Sequence, residues 1–190
     1  RLADGRFLIV GGSTADGTVQ QVAQIYDAVA NNTTSTGAIP DFVWQHAAVL
    51  LQDGRVLIVG GMYSYLGSGR PSNHAFVYSP MTGQFTSLPA MSYARKLPTA
   101  TLLPDGKALI AGGGGDFWTL ADRAETFDPA TNTFTLGPAM VVPRYGASAT
   151  ALPDGRVLIA GGWDRNDSSG QPVSVVEVYG NDRIFAAMFE

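Results

Sequence analysis

The sequence predicts an all-β fold of the propeller class, and three observations predict it. An Asp-Gly pair, a run of aliphatics and a Gly-Gly pair recur four times: Asp4-Gly5 to Gly11-Gly12, Asp53-Gly54 to Gly60-Gly61, Asp105-Gly106 to Gly112-Gly113, and Asp154-Gly155 to Gly161-Gly162. Successive Asp-Gly pairs lie 49, 52 and 49 residues apart. At such a period one supersecondary unit recurs and buries its core only against its neighbours. Each period also holds turn signals for four short antiparallel strands, which is one propeller blade, and helical periodicity is absent. A sandwich or a closed barrel would not impose so regular a punctuation.

The third unit shows the elements most clearly. Leu97 to Leu103 reads as a first strand and Pro104-Asp105-Gly106 as its turn, because Gly accepts the positive φ that a tight hairpin demands. Lys107 to Ala111 is the second strand, with aliphatics in an unbroken run, as in a strand covered on both faces. Gly112-Gly113 ends it, where a side chain would obstruct close packing or a sharp bend. After a variable stretch come Ala124 to Phe127 as third strand, Asp128-Pro129-Ala130-Thr131-Asn132 as turn, and Thr133 to Leu136 as fourth strand. Pro138-Ala139-Met140 closes the unit.

The other units repeat this order. In the second, Tyr78 to Phe85 matches Phe127 to Phe134, and Pro89-Ala90-Met91 matches Pro138-Ala139-Met140. The first keeps Ile25-Tyr26-Asp27 but places Thr34 where the others carry Phe. The fourth keeps Val176 to Tyr179 and ends with Ile184 to Phe189 as its fourth strand. The repeats thus run approximately over 1–40, 41–91, 92–140 and 141–190 of a single domain, 1–190.

Composition narrows the function. Hydrophobic residues at 45% with charged residues at 15% suit a well-buried globular chain. A net charge of −4, with arginines scattered along the chain, gives no electrostatic reason to expect nucleic acid as a partner. Cysteine is absent, which excludes disulfides and thiolate chemistry and leaves the redox compartment open. Apolar runs such as Val56 to Val59 are far too short to span a membrane. The chain opens at Arg1, inside a repeat and without its first strand, so a processed or truncated product is expected.

These features together resemble the bacterial kelch repeat over essentially the whole chain. The resemblance rests on the Gly-Gly doublets, the Tyr or Phe before a Pro-containing turn, the aromatic in the fourth strand, Pro-x-Met, and Arg95 and Arg144 after it. Leu152 to Gly162 looks like the variant found in bacterial multi-repeat kelch proteins and in the galactose oxidase and glyoxal oxidase propellers. It implies a β-propeller, in that family usually of five to seven blades. Four units then leave three arrangements: a segment of a larger propeller, a ring completed by self-association, or a compact four-bladed ring.

The oxidase propellers depend on a copper centre with a Tyr cross-linked to a Cys and further Tyr and His ligands. This chain has no Cys, and its two His residues, His46 and His74, sit in different contexts, so no metal, cofactor or catalytic set is expected. His46 is expected to be partly buried with a satisfied hydrogen bond, and His74 to face solvent. Gly112 to Gly115 lacks the Lys-Ser/Thr and helix of a phosphate loop. Asp164, Asp167 and Asp182 read as polar loop residues, since the first lacks the twelfth-position acid of a calcium loop.

The candidate binding residues are Arg95, Arg144, Trp44, Tyr63, Tyr65, Phe117, Trp118 and Trp163. In kelch relatives an Arg at the positions of Arg95 and Arg144 lines the channel mouth and grips acidic ligands through bidentate hydrogen bonds. The competing role is an internal bond to a neighbouring blade. Val43 stands at the aligned place in the second unit, so any arginine ring is incomplete. Trp44 aligns with Lys96 and Tyr145 near the channel entrance, and the other aromatics occupy the variable loops after the Gly-Gly pairs; all serve either partner contact or local loop cores. The resulting expectation is a non-catalytic module that binds protein, or else carbohydrate. The alternatives are part of a larger oxidase-like or lyase-like propeller enzyme and a structural subunit of a surface assembly. Few Lys and abundant Gly, Ser, Thr and Asn, with the resemblance to secreted proteins, point to an extracytoplasmic location.

Overall fold

The computed structural model describes residues 1–14, 18–41, 43–65, 68–165, 169–180 and 183–187. Of Ser64, Tyr65, Ser68, Trp118 and Ala187 it describes the backbone alone. The architecture is four successive antiparallel sheets. The first holds β1 (Phe7–Val10), β2 (Ala23–Asp27) and β3 (Asn32–Ser35). The second holds β4 (Ala47–Leu50), β5 (Val56–Val59), β8 (Ala75–Ser79) and β9 (Gln84–Ser87). Its loop carries an extra hairpin, β6 (Met62–Tyr65) with β7 (Ser68–Pro71). The third holds β10 (Thr99–Leu102), β11 (Ala108–Ala111), β12 (Arg123–Asp128) and β13 (Thr133–Ala139). The fourth holds β14 (Ser148–Ala151), β15 (Val157–Ala160), β16 (Val176–Gly180) and β17 (Arg183–Ala187).

Two details differ from the sequence expectation. β13 continues past Leu136 through Pro138, which an outer edge strand tolerates because its missing N–H faces no partner. In the first sheet the register pairs Tyr26 with Thr33, one residue before Thr34. Thr33 therefore replaces the Phe that stacks on the third-strand aromatic elsewhere, as in Tyr78–Phe85 at 4.8 Å and Phe127–Phe134 at 5.0 Å between ring centres.

The core lies between sheets. Leu2, Ile25, Ile39, Val43, Val56, Ile58, Phe76 and Tyr78 join the first unit to the second. Leu57, Val59, Ala75 and Val77 meet Ala108, Ile110 and Phe127 across the next junction. Leu109, Ala111 and Ala124 meet Val157, Ile159 and Tyr179 across the last. Successive residues of β5 thus serve opposite junctions, which is why all four are buried and why the aliphatic run does not alternate with polar residues. The first strands pack side by side, β4 against β10 and β10 against β14. No comparable contact joins β14 to the first sheet among the described residues. The arc is open.

A second junction device is pure backbone. The N–H groups of Gly12, Gly61 and Gly113 donate to the carbonyls of Val43, Arg95 and Arg144 in the following unit, at 3.0, 2.7 and 2.8 Å. Closeness demands the glycines: a β-carbon on Gly112, whose φ is +64°, would lie 2.5 Å from the Arg144 carbonyl oxygen. Gly161 has the same backbone, φ +68°, with open space where that carbonyl sits elsewhere. Gln45, Leu97 and Gly146 share a left-handed backbone at the entry to each first strand, and they link neighbours through Leu97 N–H to Gln45 O and Gly146 N–H to Leu97 O.

Candidate binding face

Arg95 and Arg144 are fully buried, which corrects the expectation that they line a channel mouth. Their donors are used inside the protein. Arg95 donates to Glu125 Oε1 at 2.9 Å, to the Gly112 carbonyl at 2.7 Å and to the Arg123 carbonyl at 2.6 Å. Glu125 in turn accepts from the Ser92 N–H at 2.7 Å. Arg144 binds Glu177 and the carbonyls of Gly161 and Val175, while Glu177 accepts from Val141 and Val142 N–H at 2.9 Å each. Both carboxylates are completely buried. Burial pushes the Arg95 pKa down, and the Glu125 charge opposes that shift.

The second unit builds the same place without charge. Register puts Phe76 opposite Ile58 as Glu125 is opposite Ile110 and Glu177 opposite Ile159. Val43 replaces the arginine, and the two apolar side chains share one core cluster. Pro40 stands in the place of Ser92, removing the N–H that a glutamate would have bound. The ion pair was exchanged as a set, which matches the cost of leaving either partner alone in a dry core. Glu125 and Glu177 were absent from the sequence-based candidates. Their signal was an acidic residue at the same place in the third strands of the last two units, where the second unit carries Phe76.

The remaining aromatics lie on the face bearing the loops after the Gly-Gly pairs. Trp44, Lys96 and Tyr145 each form a two-way backbone bridge, to Met62, Gly114 and Trp163 respectively. These bridges tie each loop to the segment entering the first strand. The Lys96 ammonium sits 5.8 Å from the Tyr145 ring centre, a cation–π distance. Trp44 is half-buried, its ring beside Gly69, while Trp163 is 45% exposed. Tyr63 stacks on His74 at 5.5 Å. Tyr65 lies in β6 and Trp118 in a short turn, with both side chains outside the described residues.

Two clefts open on this side of the second and third units. One, about 230 Å³, lies between Met62, Gly69 and Pro71 of the β6–β7 hairpin and Gly115, Asp116 and Phe117 of the next unit, with Lys96 in its lining. Phe117 has φ +50° and ψ +43°, a left-handed backbone that is unusual for a bulky residue, yet its side chain is 87% exposed. The other, about 280 Å³, is lined by Pro40, Phe76, Ser87, Leu88 and a His74–Asp41 pair. His74 Nδ1 lies 2.7 Å from Asp41 Oδ2. So His74 is half-exposed, as expected, but it is held by a carboxylate.

His46 departs from expectation: its Nδ1 is buried with no hydrogen-bond partner among the described residues. Burial pushes its pKa down. Asp167 and Asp182 lie outside the described residues, and among the described residues no three His, Asp or Glu side chains gather as metal ligands do. No helix is long and apolar enough to cross a membrane.

Comparison with known proteins agrees with this geometry. Residues 45–92, essentially the second unit, match the family described as Kelch motif. No curated protein matches the chain by sequence. A solved structure titled "Structure of YjhT" superposes with a TM-score of 0.78 at 13% identity, covering 97% of this chain and 68% of that one. The fold is a kelch-type β-propeller, present here as four blades. With 231 solved chains matching, the fold by itself selects no function.

Proposed function

We propose that these kelch-type blades form a non-catalytic module that binds a protein partner on the loop face. An aromatic or aliphatic side chain of the partner enters the cleft between Phe117 and the β6–β7 hairpin. The carrying observation is Phe117: a large apolar ring exposed to water on a left-handed backbone, at the rim of a cleft of about 230 Å³. Strain of that kind costs on the order of 1 kcal/mol and persists where the surroundings or a function maintain it. Lys96 lines the cleft, the Trp44 ring packs beside Gly69 of the hairpin, and Arg70 Nη1 lies 4.0 Å from Asp116 Oδ1 across the cleft. The test is to select peptides against the wild-type chain from a random displayed library and measure them against Phe117→Ala. A buried aromatic anchor is worth about 2 kcal/mol, or roughly 30-fold in affinity. Equal binding to the variant refutes the site.

A second reading draws on the cleft beside His74. An imidazole held by a carboxylate at the edge of an apolar pocket is an acid–base arrangement, suited to part of a carbohydrate-directed enzyme. Turnover of a panel of sugars that His74→Asn abolishes would favour this reading over the binding module.

A further inference from the structure

We propose that the outer crevice between the third and fourth sheets binds a sugar-sized polyhydroxyl ligand carrying one anionic group. This place is separate from the cleft beside Phe117. Successive junctions are built differently there. At the first two, the crevice toward the following unit is packed shut. Ile25 and Val77, at equivalent places in β2 and β8, are buried in it. Thr36, just after β3, hydrogen-bonds with the Tyr78 hydroxyl at 2.8 Å and donates to the Gly83 carbonyl at 3.1 Å. Leu88, just after β9, packs against the core cluster that includes Phe127. Arg55 then reaches across the second junction, donating to the Pro129 carbonyl at 2.7 Å and to Asn132 Oδ1 at 3.1 Å.

The third junction changes all three places. Thr126 stands where β8 has Val77, Gly137 where Leu88 follows β9, and Lys107 where the second unit has Arg55. A space of about 400 Å³ opens, lined by Lys107, Arg123, Thr126, Thr135 and Gly137 of the third unit and Tyr179 of the fourth. The atoms nearest to a β-carbon on Gly137 all belong to Ala124 of its own sheet, so the fourth unit does not take up the place that Leu88 fills one junction earlier. The volume is in the range of small-molecule sites.

The walls select the ligand's chemistry. Thr126 and Thr135 pair directly across β12 and β13 and bring two hydroxyls, which suit a polyol. Arg123 donates from Nε and Nη2 to the Gly137 carbonyl at 3.0 and 2.8 Å. That holds its guanidinium at the crevice and leaves Nη1 without a hydrogen bond among the described residues. Lys107 is paired with Asp105 of its own hairpin at 3.8 Å, longer than a hydrogen bond. Two cations line the space and no carboxylate does, so it favours an anion.

The probes are glucuronate, glucose 6-phosphate and neutral glucose, titrated into the whole chain with amide chemical shifts as the readout. At least one of the two anions should shift Thr126, Thr135 and Gly137 saturably, and the tighter one identifies carboxylate or phosphate ester as the group recognised. Glucose should bind at least about 10-fold more weakly. Lys107→Gln should weaken the anion about 5-fold, as loss of an exposed charge pair does. Thr126→Val should weaken it by a similar factor, about 5-fold, through loss of one hydrogen bond. Both substitutions are mild enough to keep the fold, which circular dichroism verifies. The proposal is overturned if neither anion gives saturable shifts, if glucose binds as tightly as the anions, or if both variants bind like wild type.

Discussion

The exchange of an ion pair for an apolar pair between units makes a quantitative prediction. Arg95→Val alone leaves the Glu125 carboxylate without its cation in a completely buried site and frees the carbonyls of Gly112 and Arg123. Breaking a buried pair in this way costs about 3–5 kcal/mol. Adding Glu125→Phe copies the Val43–Phe76 solution and removes the stranded charge. The freed carbonyls of Gly112 and Arg123 and the Tyr93 N–H, 3.4 Å from Glu125 in the wild type, stay unmatched, and the largest remaining fault is the Ser92 N–H, which donated to Glu125 at 2.7 Å and has no acceptor. That defect costs about 1–3 kcal/mol. Adding Ser92→Pro, as at Pro40, deletes the donor, and the triple variant should return to within about 2 kcal/mol of wild type. Urea denaturation of the three variants, with m-values compared for two-state behaviour, measures the series. If the triple variant is as unstable as Arg95→Val, or if Arg95→Val costs under about 1 kcal/mol, the set-exchange reasoning is wrong.

Gly112→Ala should destabilise by about 3 kcal/mol or more, because its β-carbon meets the Arg144 carbonyl, whereas Gly161→Ala should cost only the ~1 kcal/mol of a left-handed alanine; thermal melts decide between them. His46 binds protons more readily in the unfolded chain than in the fold, since burial lowers its folded pKa below 6.5. Its contribution is complete above about pH 6.5 and is lost as pH falls from there through the lower folded value, so His46→Leu should flatten the stability–pH slope below pH 6.5. For Asp53 burial raises the pKa, but hydrogen bonds from Arg55 lower it further, to a net value below 3.8. That contribution is present above pH 3.8 and disappears as pH falls through the lower folded value, so Asp53→Asn should lessen the acid sensitivity seen in pH-dependent melts.

The fold was legible because its requirements are local. Gly5, Gly54, Gly106 and Gly155 all adopt φ between +84° and +91° in the hairpin turns, and Gly83, Asn31 and Asn132 supply the left-handed residue of the outer turns. Those residue types announce their backbone. The site was less legible because its partners are remote. Arg95 meets Glu125 30 residues away, and nothing in the local pattern around Arg95 separates a buried lock from an exposed ligand grip. The Val43, Phe76 and Pro40 substitutions held the clue, since they change together. Phe117 was selected from the sequence as an aromatic in a loop, but its left-handed backbone had no signal: Leu97 and Gln45 show the same conformation without a Gly or Asn to mark it.

The hydrogen bond from each glycine doublet to the following unit has a consequence for how such chains diversify. The joint is made of an amide and a carbonyl, with side chains kept out by the glycines, so it is blind to what the following residue is. Val43 and Arg95 are gripped alike. A unit can therefore trade its entire polar interior for grease and still dock in the same pose, which separates the rule for assembling blades from the freedom to vary them.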